Sequence, residues 1–452
     1  MNWTQYNKIY FIGIGGIGIS AIAKIMLELK KQVSGSDLES SSITDELQKQ
    51  GAHIKIGKHQ PGNIPKDVDL IIYSNAIATT NEEYKKAKKL KVPLKSYPEI
   101  LGIMMANYIP IIISGTHGKS TITAMLAKIF IQAGLDPSVV IGTKIKELDG
   151  NARLGLGRYF IAEGDEYKEA FQYYNPVALV VNNIEADHLD YFIKIENILK
   201  AFEKIISGVP AGGFLIANAD DKNISKLLKK AKCKVITYGI NNGDYQAFHI
   251  IRHGEIIRFA IKGLERFDLI LRTPGIHNIY NALAACVLSL AFGIEHATIQ
   301  KALSDYKGAW RRFEIKGKKG GVTIIDDYAH HPTEIKFTLQ AAREYYPNKK
   351  IWCVFQPHSR HRTKKLLKHF AQSFTNCDRL ILADIFKVAG RDKNERITID
   401  HLLDEIRKTK KDTILLKDNQ IVDHIKRYTK SGDVVIIMGA GDITKLADQL
   451  LK

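Results

Sequence analysis

Ser114–Thr121 reads SGTHGKST and directly follows the apolar run Ile109–Ile113. A strand that ends in a glycine-containing turn and then Lys-Ser-Thr at a helix start makes a cradle for phosphate. Backbone N–H groups and the helix dipole attract phosphate oxygens, Lys119 adds a point charge, and the hydroxyl of Ser120 or Thr121 can hold Mg²⁺. The usual spacing puts a glycine where Ile113 stands, so with Gly115 and Gly118 this turn is shorter than standard. Ala124, Leu126, Ala127, Ile129 and Phe130 supply the apolar face of the helix that follows. An ordinary strand-to-helix turn is the plain alternative. Strand, GxxGK and apolar helix in succession favour nucleotide binding over it.

The bulk composition sets the frame around this loop. A chain of 452 residues is too long for one core, and about two to four domains are expected. With 45% apolar and 25% charged residues it has the make-up of a globular protein. No apolar run approaches the roughly 20 residues of a membrane helix, so no membrane insertion is expected. The N-terminal apolar residues run straight into a glycine motif instead of forming a secretory leader. Cys233, Cys286, Cys353 and Cys377 show no CxxC spacing, which argues against zinc and against a disulfide framework. A cytoplasmic location is the expectation. The net charge of +18 points to anionic partners. Lysines such as those in 85–91 and 226–234 read as solvated helix faces, and no module for nucleic acid stands out.

Three segments each open on a strand and alternate β with α, which predicts α/β domains with mostly parallel, doubly wound sheets. The expected divisions are 1–107, 108–308 and 309–452. In the first, Gly13, Gly15 and Gly18 fit G-x-G-x-x-G after a strand, and Asp37 stands about 20 residues on, where an acid reaches a ribose hydroxyl. The second begins at the phosphate loop, has strands at Tyr159–Ala162, Ala178–Asn182, Gly213–Ala217 and Lys234–Tyr238, and ends with a β-leaning stretch and the helix Ile279–Phe292. The third carries strands at Val322–Ile325, Ile351–Phe355, Arg379–Ala383, Thr413–Leu416 and Val434–Met438.

Polar clusters fall at strand ends, where open α/β sheets place function. Glu163 follows one strand, and Asp187 and His188 follow another; near a phosphate loop they suit Mg²⁺ or phosphate. His277, Asn278 and Asn281 open a helix, where capping is the simpler role. Arg311-Arg312-Phe313 lies at a segment junction, placed for an arginine that crosses to a phosphate on closure. In the third segment DDYAHHP (326–332) and QPHSRHR (356–362) follow successive strands. At neighbouring strand ends they would line a pocket for a carboxylate substrate.

GIGGIGISAIA, SGSD, SGTHGKST, DHLDYF, GIHNIYNALAA, RRFE, DDYAHHPTEI and FQPHSRHRT, in this order, resemble the three-domain Mur ligases over residues 9–441. The resemblance implies a Rossmann-like first domain, a central ATPase-type domain and a Rossmann-like third. It also implies ATP-driven amide bond formation in peptidoglycan synthesis, with L-alanine joined to UDP-N-acetylmuramate through an acyl phosphate. Sister ligases that attach a recycled tripeptide are the alternative. By position, Gly115, Thr116, His117, Gly118, Lys119, Ser120 and Thr121 would hold the ATP phosphates. Ser120, Glu163 and His188 would hold Mg²⁺, and Asn281, Arg312 and Asp327 would contact the nucleotide. Lys119, His188 and Arg312 would be catalytic. Gly13, Gly15, Gly16, Gly18, Asp37, His59, Ser74, Asn75 and Ala76 would bind the UDP part, and Tyr328, His330, His358 and Arg362 would build the third-domain pocket. The glycine fingerprint would then be read by UDP and not by NAD. A monomer or weak homodimer is expected, with no nucleic acid partner. Two departures from the family pattern are Ser359-Arg360-His361 after QPH and Tyr167-Lys168 after EGDE.

Overall fold

Ile9, Tyr10, Phe11 and Ile12 are all buried in the strand Lys8–Ile12, as a continuous apolar run must be when both faces of a parallel sheet are covered. In the computed structural model, which describes residues 2–254, 256–263, 267–387, 392 and 395–452, this strand is the centre of a five-stranded parallel sheet. Gln32–Asp37 and then His53–Ile56 lie to one side, and Leu70–Tyr73 and then Leu94–Ser96 to the other. Strand order therefore reverses at Lys8–Ile12, and a crevice opens at the carboxyl ends of the strands there. The turn Gly13–Gly16 leads from that end into the helix Ile17–Glu28. Gly13 has φ +77°, and a Cβ on Gly18 would lie 2.9 Å from the Tyr97 ring, so these two positions require glycine.

The second sheet has ten strands. Ile109–Ser114, with Ile111, Ile112 and Ile113 fully buried, runs parallel between Ala178–Val181 and Tyr159–Gly164. Phe214–Asn218 and Lys234–Gly239 extend one side in parallel. The β-leaning stretch becomes the antiparallel strands Tyr245–His253, Ile256–Lys262 and Phe267–Leu271. On the other side lies Ser138–Ile145, paired antiparallel with Gly150–Arg153. That hairpin carries no alternation strong enough to be legible beforehand. The helix Lys119–Gln132 buries nearly its whole circumference between this sheet and the helices Ile276–Ala291 and His296–Ser304.

The third sheet runs Glu314–Lys319, Val322–Asp327, Val434–Met438, Ile351–Phe355, Arg379–Leu382 and Ile414–Leu415, with the first strand antiparallel. This corrects one expectation. The strands before DDYAHHP and QPHSRHR are not neighbours, because Val434–Met438, last in sequence, pairs with both. Their loops still meet above it, with the His330 and His358 rings 5.7 Å apart. The three units are in direct contact. Asn151 donates to the Ile17 carbonyl at 2.6 Å and Thr143 to the Trp310 carbonyl at 2.8 Å. Among the described residues, no helix is long and apolar enough to cross a membrane.

Candidate active site

Residues 115–118 turn sharply between strand and helix. Gly115 and Gly118 have φ of +130° and +86°, and a Cβ on Gly118 would stand 2.4 Å from Asn281 Oδ1. Neighbouring loops fix the turn: the Thr116 amide donates to the Asn183 carbonyl at 2.9 Å and the His117 amide to Asn183 Oδ1 at 2.7 Å. Asn182 reaches both the His117 carbonyl and Asn281, and Asn281 donates to Asn278. Asn281 thus buttresses the loop from the first turns of the helix Ile276–Ala291. Lys119 folds back over the turn, with Nζ 2.6 Å from the Gly115 carbonyl oxygen and 2.9 Å from Glu166 Oε2. Burial works against its charge, but Glu166 and Asp165 outweigh burial and raise its pKa.

Two cavities open from this loop. One, of about 280 Å³, lies between the central and third units. His117, Gly118, Thr121, Asn278, Asn281, Arg312, Asp327 and Phe337 are among its walls. Asp327 is fixed by the amides of Phe313 at 2.7 Å and Ala329 at 2.9 Å. Burial pushes its carboxyl up to about 6, against the pull of those amides. Arg312 is the half-buried member of an arginine pair whose other member, Arg311, is buried. Arg311 and Phe313 on either side have φ of +56° and +49°. Arg311 turns inward to Asp326 and to the Gly439 carbonyl, which leaves Arg312 facing the cavities. Both guanidinium groups lie 5.1 Å from the Tyr328 ring centre.

The other cavity, of about 400 Å³, is walled by all three units. Gly16, Gly18 and residues 74–76 come from the first, Thr116–Ser120, Glu163 and His188 from the second, and Arg312, Tyr328 and His330 from the third. Gly13 and Gly15 form the turn behind Gly16, and Asp37 accepts from the Gly15 amide at 2.8 Å. His59 stands apart. It is buried with Nδ1 3.2 Å from both Glu83 and Ser36, in a network that Tyr10 joins.

Ser120, Glu163 and His188 share this cavity. Burial raises the Glu163 carboxyl, against the Gly142 amide at 2.5 Å and the adjacent Ser120 hydroxyl. His188 sits in a left-handed turn with φ +50°, and its buried Nδ1 has no hydrogen-bond partner among the described residues. The carboxylate and the hydroxyl are oxygen donors of the kind Mg²⁺ takes, and the imidazole, a softer ligand, stands in the same cavity. His188 also groups with Asp165 and Glu166, ligand atoms within 4.8 Å of one another. Asp187 takes a different part. Arg362 holds it through three contacts of 2.8 to 3.1 Å. Burial opposes the Asp187 charge, and Arg362 still keeps its carboxyl well below the usual range. Arg362 in turn lies 3.3 Å from His358 Nδ1, and His358 stacks on Phe386.

Sequence reasoning passed over Glu166, Glu185 and Glu334. Glu185 and Glu334 flank His117, at 3.6 Å from Nε2 and 3.2 Å from Nδ1. Burial lowers and the two carboxylates raise the His117 pKa, to a net value of about 9. Glu166 and Glu334 stand inside the quoted motifs EGDE and DDYAHHPTEI, and Glu185 lies two residues before DHLDYF, which is a weak signal. The reach of Glu334 across units is not encoded in that motif.

The chain is similar to known proteins along nearly its whole length. Three family models match in order: the Mur ligase family catalytic domain at residues 8–109, the Mur ligase middle domain at 113–289, and the Mur ligase glutamate ligase domain at 311–441. A UDP-N-acetylmuramate–L-alanine ligase of Acetivibrio thermocellus is 44% identical over 457 aligned residues, covering 99% of this chain and 96% of its own. The crystal structure of the UDP-N-acetylmuramate-alanine ligase MurC from Thermotoga maritima superposes with a TM-score of 0.84 at 29% identity, covering 98% of each chain. A murein peptide ligase from Psychrobacter arcticus gives a TM-score of 0.75 at 25% identity, again over 98% of each. A relative so similar from end to end, together with family models that meet the phosphate loop, the crossing arginine and the glycine turn in one order, leaves one conclusion: the chain belongs to the Mur ligase family.

Proposed function

We propose that the protein joins L-alanine to the carboxylate of UDP-N-acetylmuramate at the expense of ATP, releasing ADP and phosphate. One observation carries this reading. The phosphate loop, the glycine turn of the first unit and Arg312 of the third face a single cavity, so a phosphoryl donor and a nucleotide-linked acid meet under one arginine. The Acetivibrio relative, which bears that activity in its name, supports it. The division of labour follows the units 1–107, 108–308 and 309–452. The first holds the UDP portion with Gly13–Gly18, Asp37 and Ser74–Ala76, and His59 braces it from behind. Residues 115–121, Asn281, Arg312 and Asp327 hold ATP. Tyr328 and His330 line the cavity from the third unit, with His358 behind His330, and Arg362 fixes this side through Asp187. The reaction is placed in the cytoplasm.

A carboxylate is a poor acyl donor, so its oxygen first attacks the γ-phosphorus of ATP and displaces ADP. The amine of L-alanine then attacks the acyl carbon, loses a proton, and expels inorganic phosphate. Lys119 and Arg312 carry positive charge to the transferring phosphoryl group, and alignment plus charge neutralisation do most of the catalysis. Mg²⁺ held by Ser120, Glu163 and His188 would add a further positive charge there. Incubation with UDP-N-acetylmuramate, L-alanine, ATP and Mg²⁺ tests the proposal by mass spectrometry. A gain of one alanyl residue on the nucleotide sugar is expected. An unmodified nucleotide sugar overturns it.

A further inference from the structure

The Glu334 carboxylate has no role in this scheme, yet it touches three residues that do. It lies in the first turn of the helix Pro332–Tyr345, and its two oxygens face different units. Oε2 faces its own: it accepts from the His330 and His331 amides at 3.1 and 3.3 Å and lies 3.4 Å from His330 Nδ1. Oε1 faces the central unit, 3.2 Å from Nδ1 of His117 in the phosphate loop, and 3.9 Å from a terminal nitrogen of Arg312. Capping a helix start needs only the first oxygen. The second is surplus to capping, and the carboxylate stays charged although buried, because His330, His117 and Arg312 together outweigh the cost of burial.

We propose that Glu334 is a positioning residue for phosphoryl transfer: reaching from the third unit, it fixes the His117 ring and the Arg312 guanidinium around the phosphate loop. The loop then acquires its full set of oriented cations only when the third unit is docked. His117 is faced by Glu334 and by Glu185, with the His331 ring 4.8 Å away and His277 close enough to feel its charge. Between the two carboxylates it keeps its proton at neutral pH and joins Lys119 as a second cation of the loop. During transfer the phosphoryl group spreads negative charge over its oxygens. Cations already fixed in place stabilise that charge without reorganising. The ground-state nucleotide gains less, because that charge has not yet developed on those oxygens.

The kinetic test rests on the ligase reading above; the spectroscopic one does not. Glu334→Gln keeps a capping acceptor at a position where glutamine is suited, and Glu334→Asp keeps the charge on a shorter arm. In Glu334→Gln, kcat is expected to fall roughly 10- to 100-fold, with the KM values for ATP and UDP-N-acetylmuramate changed by less than about threefold. The melting temperature should hold, and Glu334→Asp should recover part of kcat. In ¹³C-histidine NMR without substrates, the His117 resonance, assigned with His117→Asn, should titrate at lower pH in Glu334→Gln than in the parent protein. An unchanged kcat, or losses spread equally over kcat, KM and melting temperature, would overturn the proposal. So would a His117 titration that does not move. A parent enzyme that releases no phosphate with L-alanine would sink the ligase reading instead, and the titration alone would then decide the role of Glu334.

Discussion

Replacing Arg362 by alanine tests how the third unit is held against the central one. The guanidinium makes three contacts with Asp187, at 3.0, 2.8 and 3.1 Å, and the two side chains expose only 8% and 10% of their surface. Alanine would leave a carboxylate buried without its cation, at a cost of about 3–5 kcal/mol. Since 1.4 kcal/mol is tenfold in an equilibrium, retaining the docked geometry would become roughly 10²- to 10⁴-fold less favourable. The chain escapes part of this by admitting water to Asp187 or by undocking. Thermal melting should therefore show a lower midpoint, and small-angle scattering a larger radius of gyration. Asp187→Asn in the same chain removes the stranded charge, so the double variant should regain about 1 kcal/mol or more over additivity. A midpoint and radius equal to those of the parent, with additive effects in the cycle, would refute the idea that this pair joins the units.

Two further outcomes follow from the phosphate loop. Lys119→Ala should cut alanine-dependent phosphate release by at least about 100-fold with the fold intact by circular dichroism; turnover within tenfold of the parent would remove Lys119 from the phosphates. The second concerns pH. The folded His117 value of about 9 lies above the ordinary 6.5, so its contribution is complete below pH 6.5 and is lost as pH rises through 9. Urea titrations between pH 6.5 and 9.5 should show stability falling by an amount on the order of 2–3 kcal/mol, and a flat profile would show that the two flanking carboxylates do not hold that proton.

The parts legible in the sequence are those whose physics is local. Ile109–Ile113 followed by SGTHGKST fixes a strand, a turn and a helix start within a few residues, and the structure has all three. Val434–Met438 and Ile351–Phe355 were visible as apolar runs because parallel strands are buried on both faces. Their order in the sheet was not, since nothing local tells the last strand to insert between two earlier ones. Arg312 could be singled out from the junction it occupies. The left-handed turns at Arg311 and Phe313 that aim it could not, because neither residue favours positive φ and tertiary contacts impose it. Asp187 read as a partner for metal or phosphate and is instead neutralised by Arg362, a residue 175 positions away. Glu185 and Glu334 meet at His117 only after two units have docked, and no spacing in the chain encodes that meeting.

The most direct test of the ligase reading is phosphate release from ATP in the presence of UDP-N-acetylmuramate and Mg²⁺, comparing L-alanine with the recycled tripeptide as acceptor. The account predicts release that depends on L-alanine, with one ADP formed per amide bond. Release only with the tripeptide would move the enzyme to cell-wall recycling, and release with neither acceptor would contradict the account outright.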